Sequence, residues 1–191
     1  MPRAARLVLP QIAHHVTQRG SRKQRTFFGD PDFRLYLGLL RHWCRRSGTE
    51  LWAWCLMPNH VHLILVPASP DGLRAALAPA HRRYSWEINQ RQGWRGHLWQ
   101  GRFASFPMDE AHLHVCLRYV ELNPVRAGLV ERPEQWPWSS ARTHLGLDGA
   151  AGPPQPLRAR IGDWRAFLDS GLDDSQLEAV RIAEFTGKLI L

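Results

Sequence analysis

Two histidines lie one residue apart in the stretch MPNHVHLILV, at His60 and His62. Side chains alternate between the two faces of a β-strand, so a strand here places both imidazoles on one face and Val61, Leu63 and Leu65 on the other. Neutral imidazoles bind divalent metals, and a catalytic metal keeps positions for substrate oxygen or water. Two imidazoles are an incomplete ligand set, so a metal site needs a third ligand from elsewhere. The alternative is a pair of histidines hydrogen-bonded on a solvated sheet face.

A second candidate group lies in the segment 109–123. Its apolar residues recur at helical spacing and predict a packed stripe, formed by Leu113, Cys116, Leu117 and Val120. Tyr119 and Asn123 are four residues apart, so a helix places them together at the edge of that stripe. We expect the Asn123 amide oxygen to be the third metal ligand and Tyr119 to be a nucleophile towards a phosphodiester that the metal polarises. The alternative for Tyr119 is an aromatic residue at the edge of the core.

The surrounding patterns predict the element order β-α-β-β-α-β-α. The predicted elements are a strand near 11–17 that ends at Gly20, a helix from Asp30 to before Gly48, strands at 51–56 and 61–66 joined by Pro58-Asn59, a helix at about 72–92 that Pro79 kinks or splits, a strand through Phe106, and a helix at about 109–122. The last helix ends there because the residue before Pro124 avoids the α region.

This order predicts an α+β fold, the ferredoxin-like split βαβ arrangement with an antiparallel sheet. The strand with the histidine pair belongs to the sheet, and the third helix carries Tyr119. In this arrangement the helices pack on one face of the sheet, so we expect the other face to stay free for a ligand. We expect residues 1–145 to form the catalytic domain and residues 146–191 to form a Gly/Pro-rich linker and a helical C-terminal extension.

Composition indicates a folded protein with a polyanionic partner. The chain has 191 residues, of which 44% are hydrophobic and 22% charged, and its net charge is +8. All basic residues except Lys23 and Lys188 are arginines, whose planar guanidinium fits phosphate oxygens. The alternative is that the arginine content reflects a GC-rich genome. The three cysteines form no C-x-x-C motif, and no apolar run reaches the roughly 20 residues needed to span a bilayer. We therefore expect a reducing, cytoplasmic setting and no membrane partner.

Two basic regions are the candidate DNA contacts. We expect their arginines and lysine to neutralise phosphates and their aromatic residues to stack on unpaired bases. The alternative for each residue taken alone is a solvated charge or an aromatic residue of the core. The basic candidates are Arg19, Arg22, Lys23 and Arg25 after the first strand, and Arg95, Arg102, Arg118 and Arg126 near the proposed site; the stacking candidates are Trp94, Trp99 and Phe103. Glycines in the segment 94–103 allow a close approach of nucleic acid to the backbone.

Several ordered motifs resemble one family. MPNHVHLILVP at 57–67 and LRYVELNPVRAG at 117–128 closely resemble the single-tyrosine HUH transposases, in particular the bacterial REP-associated tyrosine transposases. Supporting segments are HVTQRG at 15–20, LWQGRF at 98–103 and WPWSS at 136–140. The similarity covers roughly residues 1–145. The sequence departs from the family in two places. Ala13-His14 precedes His15-Val16 where the family often has an aromatic residue, and the segment 181–188 is a reduced version of the family's basic C-terminal extension.

The resemblance implies a ferredoxin-like domain that binds single-stranded DNA folded into palindromic hairpins. It implies cleavage beside the hairpin through a 5′-phosphotyrosine, strand rejoining, and assistance by Mg²⁺ or Mn²⁺. His60 and His62 match the histidine pair of the family, Tyr119 the nucleophile and Asn123 the polar third ligand. The implied setting is the bacterial cytoplasm, in association with the nucleoid. Whether the chain is a monomer or a homodimer stays open.

Three other functions compete with this one. A ferredoxin-like sheet with aromatic residues also binds single-stranded RNA or DNA without catalysis, which requires neither metal nor Tyr119. A phosphoesterase with two His-x-Thr motifs fits His15-Val16-Thr17, but His60-Val61-His62 lacks the threonine. A zinc hydrolase is disfavoured because the sequence has no H-E-x-x-H motif.

Overall fold

The elements follow the predicted order as far as Glu121, in a computed structural model that describes residues 7–149 and 152–186. The strands are β1 (His14–Arg19), β2 (Glu50–Met57), β3 (His60–Val66) and β4 (Ala104–Pro107). The helices are α1 (Asp30–Arg46), α2 (Gly72–Gln92), α3 (Glu110–Glu121), α4 (Asn123–Arg126), α5 (Ala141–His144), α6 (Gln155–Arg160), α7 (Trp164–Asp169) and α8 (Asp174–Thr186). The α+β prediction with an antiparallel sheet is confirmed.

The four strands form one antiparallel sheet in the order β2-β3-β1-β4. Pro58 and Asn59 connect β2 to β3 as a two-residue turn, with Met57 paired to His60. Between β1 and β3 the register places Arg19 opposite His60 and Thr17 opposite His62. Cross-strand partners share a face of the sheet, so β1 contributes its own side chains to the face that carries the histidine pair.

Helices α1 and α2 cover one face of the sheet and enclose an aromatic core. Leu63 and Leu65 of β3 pack there with Tyr36 of α1 and Tyr84 of α2. Helix α2 continues through Pro79 as one helix, so the proline does not split it. Side-chain alternation along β3 therefore turns the odd-numbered residues towards α1 and α2.

The second face of the sheet is covered as well, which corrects the expectation of a free face. Helix α3 packs its predicted stripe on the even-numbered side of β3, where Ile64 and Val66 are buried. Helices α6 to α8 add Leu157, Trp164 and Val180 to the same cluster. Burial of these apolar side chains against each other removes them from water. Among the described residues, the end of β3 that carries the histidine pair still lines an open pocket.

A buried carboxylate fixes α3 against the segments that follow it. Glu121 is completely enclosed and lies next to three polar side chains. Trp164 Nε1 donates a hydrogen bond to Glu121 Oε2 at 2.8 Å, the Ser140 hydroxyl donates to Oε1, and His144 Nδ1 lies 2.6 Å from Oε1. Ser140 also bonds Trp54 of β2 through its backbone N–H, at 2.9 Å. The WPWSS segment thus ties β2 to α3.

The basic C-terminal segment is described only in part. Helix α8 contains Arg181, whereas Gly187 and Lys188 lie outside the described residues. Among the residues that the structure describes, no helix combines the length and apolarity needed to cross a bilayer.

Candidate active site

The two histidines of β3 lie together at the end of the sheet, as alternation predicts. Their ring centroids are 4.9 Å apart and the ring planes are nearly perpendicular, at 84°. His62 is buried, whereas His60 is partly exposed. The two rings are therefore nearly perpendicular, and the His60 imidazole is the one nearer to solvent.

Asn59 determines which nitrogen of His60 carries the proton. Its amide Nδ2 donates to the Lys23 carbonyl at 3.1 Å, which turns its Oδ1 towards His60. That oxygen is an acceptor, and it lies 2.6 Å from His60 Nδ1. Nδ1–H of His60 is thus the donor, and the lone pair is on Nε2, the arrangement of a metal-binding histidine held by an outer partner.

His15 is a site residue that the histidine spacing does not reveal. Its ring stacks on His62 with centroids 5.3 Å apart, and His15 Nε2 lies 3.1 Å from His62 Nδ1. A His62 tautomer that donates from Nδ1–H to His15 would keep its lone pair on Nε2, as in His60. The alternation of His15, Thr17 and Arg19 along β1, a strand that pairs with β3, is the sequence signal that could have identified it.

The site keeps its imidazoles neutral. Burial lowers the pKa of His60 to about 4, and the nearby Arg19 charge acts in the same direction. Burial also lowers the pKa of His15 to about 4 and that of His62 well below its ordinary value, the latter with help from His60, His15 and the charges of Arg126 and Arg19. Neutral imidazole is the form that binds metal.

Tyr119 packs directly against this cluster. Its ring meets His62 edge-on with centroids 5.4 Å apart, and it meets His15 at 6.0 Å. The Cζ atom of Arg126 lies 3.9 Å from the centroid of the Tyr119 ring. Helix α4 begins directly after Leu122, and its single turn brings Arg126 back over the tyrosine. A phenol, two imidazoles and a guanidinium therefore meet at one place.

Asn123, the predicted third ligand, lies in the segment that follows α3. It is the buried first residue of α4, one helical turn after Tyr119. No three His, Cys, Asp or Glu side chains converge on a metal-sized site within residues 7–149 and 152–186. A hard divalent cation here would combine the two imidazoles with oxygen donors, and an amide oxygen is such a donor.

A pocket of about 470 Å³ opens onto the histidine pair. It is lined by Thr17, Gln18, Arg19, His60, His62, Gln100 and Arg181. Three elements that are distant in sequence thus meet here, with α8 forming one wall through Arg181. The lining is mostly polar and contains two arginines, which favours an anionic ligand.

The basic residues after β1 lie in an exposed loop beside the pocket. Arg22, Lys23 and Arg25 are exposed, and Arg22 and Lys23 adopt positive φ angles of 54° and 61°. Gly20 anchors the loop: a Cβ there would lie 2.3 Å from the Gln24 carbonyl oxygen, and its own N–H donates to Asn59 at 2.8 Å. The structure therefore supports the loop as a charged surface next to the site.

The segment 94–103 divides into exposed and buried residues. Arg95 and Arg102 are exposed, as is Trp94. Trp99 is only 6% exposed and packs among Phe27, Tyr36 and Tyr84. This corrects the expectation that Trp99 stacks on a base, because its faces are already covered by core aromatics. Phe103 is buried in the same core.

Arg118 has a different neighbourhood from Arg126. Its guanidinium lies 4.9 Å from the Phe167 ring centroid, and it donates to the Ser170 hydroxyl at 3.3 Å. Residues 118 and 119 are about 100° apart around a helix, so Tyr119 faces the histidines while Arg118 faces the C-terminal extension. Only Arg126 of these two arginines contacts the tyrosine.

Two relatives match about half of this chain. A REP-associated tyrosine transposase of Escherichia coli is 26% identical over 92 residues, which are 48% of this chain and 53% of that protein. A Haemophilus influenzae protein named as a REP-associated tyrosine transposase is 30% identical over 108 residues, 51% of this chain and 61% of that protein. The chain therefore matches less than two thirds of the length of either relative.

One solved structure has a similar fold. The solved structure of a REP-associated tyrosine transposase bound to a REP hairpin has a TM-score of 0.57 at 20% identity and covers 73% of this chain and 82% of that one. The family model described as "Transposase IS200 like" matches residues 9–123, a range that includes His60, His62, Tyr119 and Asn123. The resemblance seen in the motifs is confirmed, and the chain belongs to the IS200-like transposase family.

Proposed function

We propose that this protein is a metal-dependent endonuclease and transposase of single-stranded DNA, which cleaves beside hairpin-forming palindromic repeats and rejoins strands. The observation that carries the proposal is the edge-on packing of Tyr119 on His62, with Arg126 across its ring. This arrangement holds a nucleophile, a pair of neutral imidazoles and a cation at one site. Each of these groups has a role in displacement at phosphorus.

In the proposed cleavage step the Tyr119 hydroxyl oxygen attacks the phosphorus of a phosphodiester. The bond between phosphorus and the 3′ oxygen breaks, a 5′-phosphotyrosine forms, the phenolic proton leaves to solvent and the released oxygen becomes a 3′-hydroxyl. Rejoining is the reverse, with a 3′-hydroxyl attacking the phosphotyrosine. The phosphotyrosine bond conserves the energy of the cleaved one, so no nucleotide cofactor is needed.

The residues around Tyr119 would stabilise the negative charge of the reacting phosphate. His60 and His62 with the amide of Asn123 would hold Mg²⁺ or Mn²⁺. When bound, such an ion polarises the phosphoryl oxygen and stabilises its developing charge. Arg126 and Arg19 add positive charge near His62, where the phosphate would lie.

The proposed partner is single-stranded DNA with palindromic hairpins. A neighbour in fold was solved with a REP hairpin, and this chain has a net charge of +8 and an exposed basic loop beside the pocket. We extend the proposal to a place of action on the bacterial nucleoid, where such DNA is found. Both monomeric and dimeric states are compatible with it.

The test is formation of a covalent adduct. The protein is incubated with labelled single-stranded DNA that carries the palindromic repeats flanking its gene, with Mg²⁺ or Mn²⁺, and resolved on a denaturing protein gel. We expect a metal-dependent shifted band that Tyr119→Phe abolishes. The chain has three tyrosines, so Tyr84→Phe is the matched control: Tyr84 lies in the α1–α2 core and should keep the adduct.

Two outcomes contradict the proposal. Cleavage that persists in Tyr119→Phe without an adduct would assign the attack to water. Tight, metal-independent binding of the hairpin with no cleavage in either protein would favour the non-catalytic binding function instead.

A further inference from the structure

A second pocket of about 420 Å³ lies between α2 and the segment 94–103. We call it the α2 pocket, and it is lined by His81, Arg82, Ser85, Gly96, His97, Leu98, Trp99, Gly101 and Arg102. Neither Tyr119 nor the histidine pair belongs to it. Gln100, in the middle of the same segment, lines the pocket at the histidine pair. One short stretch of chain therefore separates the two pockets.

The hydrogen-bonding groups of the α2 pocket are mainly donors. Trp99 Nε1 is enclosed and has no hydrogen-bond partner among the described residues. A buried N–H without an acceptor is costly, so its retention favours a ligand or water oxygen at this position. Arg82 and Arg102 add two exposed guanidinium groups, and the lining contains no carboxylate. Such a set selects an anionic ligand rich in acceptor oxygens.

The position of this pocket relative to the active site is fixed by backbone hydrogen bonds. Gln100 N–H donates to the Arg19 carbonyl and Ser21 N–H to the Leu98 carbonyl, both at 2.8 Å. The side chain of Gln18 donates to the Gly101 carbonyl at 3.2 Å. The segment thus continues the sheet beyond β1, and a ligand that crosses it meets both pockets.

We propose that the α2 pocket binds one unpaired nucleotide of the DNA strand, a few nucleotides away from the phosphodiester at Tyr119. Arg82 and Arg102 hold its phosphate, and Trp99 Nε1 donates to an oxygen of that nucleotide. Trp99 acts here through its indole edge, since its faces are packed in the core. This inference rests on the proposed function, because it takes the strand cleaved at Tyr119 as the ligand.

The test compares two DNA probes by fluorescence anisotropy. One is a fluorescent hairpin with unpaired flanks, and the other is a blunt hairpin with the same stem. The Tyr119→Phe protein is the background for binding, so that cleavage does not interfere. Arg82→Gln and Trp99→Phe are added to it, with Arg83→Gln as the matched control. Arg83 is the next residue of α2 but pairs with Glu87, lies over Trp86 and is outside the α2 pocket.

We expect Arg82→Gln to weaken binding of the flanked hairpin about tenfold, as loss of one charge-assisted contact does. The slope of log affinity against log salt should fall by about 0.7, the value for one phosphate of a single strand. Trp99→Phe keeps the ring and removes the N–H, so about threefold weaker binding is expected. Arg83→Gln should change binding less than about twofold, and blunt-hairpin binding should stay constant in all variants.

Equal losses in Arg82→Gln and Arg83→Gln, or equal losses on both probes, would overturn the α2 pocket as a nucleotide site. Arg82 is exposed, so its variant decides the matter even where Trp99→Phe folds poorly. Adduct formation by the otherwise wild-type protein is measured separately. If the adduct forms but Arg82→Gln does not weaken hairpin binding, only the proposal for the α2 pocket is wrong. If Arg82→Gln weakens binding but no adduct forms, only the proposed nuclease activity is wrong.

Discussion

The side-chain oxygen of Asn59 accepts the Nδ1 proton of His60 at 2.6 Å, while the Asn59 amide nitrogen is held by the Lys23 carbonyl. A residue of the β2–β3 turn thus sets the tautomer of a proposed metal ligand. The backbone carbonyl of Asn59 also accepts a hydrogen bond from the Gly20 N–H. The turn, the basic loop and the histidine pair are consequently one connected unit.

Replacing Asn59 with alanine should weaken Mn²⁺ binding by about 10- to 100-fold, the usual effect of losing an outer partner of a metal-bound histidine. Isothermal titration calorimetry with the DNA-free protein measures this directly. Asn59→Asp keeps an acceptor oxygen for His60 but loses the donor to the Lys23 carbonyl, so it should keep more affinity than Asn59→Ala. Unchanged affinity in Asn59→Ala would show that His60 needs no such orientation.

Arg126 should act on the rate of cleavage more than on DNA binding, since its guanidinium lies over the nucleophilic ring. We expect Arg126→Gln to slow adduct formation by about 100-fold at saturating DNA, the scale of losing one charge-stabilising donor. Single-turnover gels give the rate and anisotropy gives the affinity. Arg132→Gln, an arginine on the segment after α4, is the comparison. A loss confined to affinity would make Arg126 a simple DNA contact.

Glu121 should be the most sensitive stabilising position on α3. Its removal leaves the Trp164 N–H and the Ser140 hydroxyl buried without their acceptor. Glu121→Ala is expected to lower the free energy of unfolding by about 3 kcal/mol. Urea denaturation measures this against Glu110→Ala, whose exposed ion pair with Arg160 should contribute less than about 1 kcal/mol. Equal losses in the two variants would contradict the role of the buried network.

The buried His81 should make the fold sensitive to acid. Burial lowers the pKa of His81 to about 3, and its Nε2 accepts from the Tyr36 hydroxyl at 2.8 Å. Below the unfolded pKa of about 6.5, the unfolded chain binds a proton here that the folded chain does not, so stability falls as pH falls towards the folded pKa.

From about pH 6 to pH 4, His81 alone should remove about 2.5 kcal/mol from the free energy of unfolding. His81→Gln keeps an acceptor for Tyr36 and should lose that much less over the same interval. Urea denaturation at the two pH values measures the difference. Parallel losses in both proteins would exclude His81 as a source of acid sensitivity.

Local patterns were enough to determine much of this protein. Alternation along β3 placed His60 and His62 on one face, because successive side chains of an extended strand point to opposite faces of the sheet. Helical spacing predicted Tyr119 and Asn123 one turn apart. In the structure α3 ends at Glu121 and Asn123 begins α4, so the two residues lie on successive helices. The order of strands and helices also followed from residues that end helices, such as Gly48 and Pro124.

Only the tertiary structure decided which distant residues meet. His15 stacks on His62 through strand pairing across 47 residues, and the ring of Trp99 is packed among core aromatic residues. The cover over the second sheet face comes from helices at the end of the chain, and Glu121 finds its partners from α5 and α7. Periodicity predicts which side chains of a helix or strand share a face. It does not predict which other element packs on that face, because that depends on packing of the whole core.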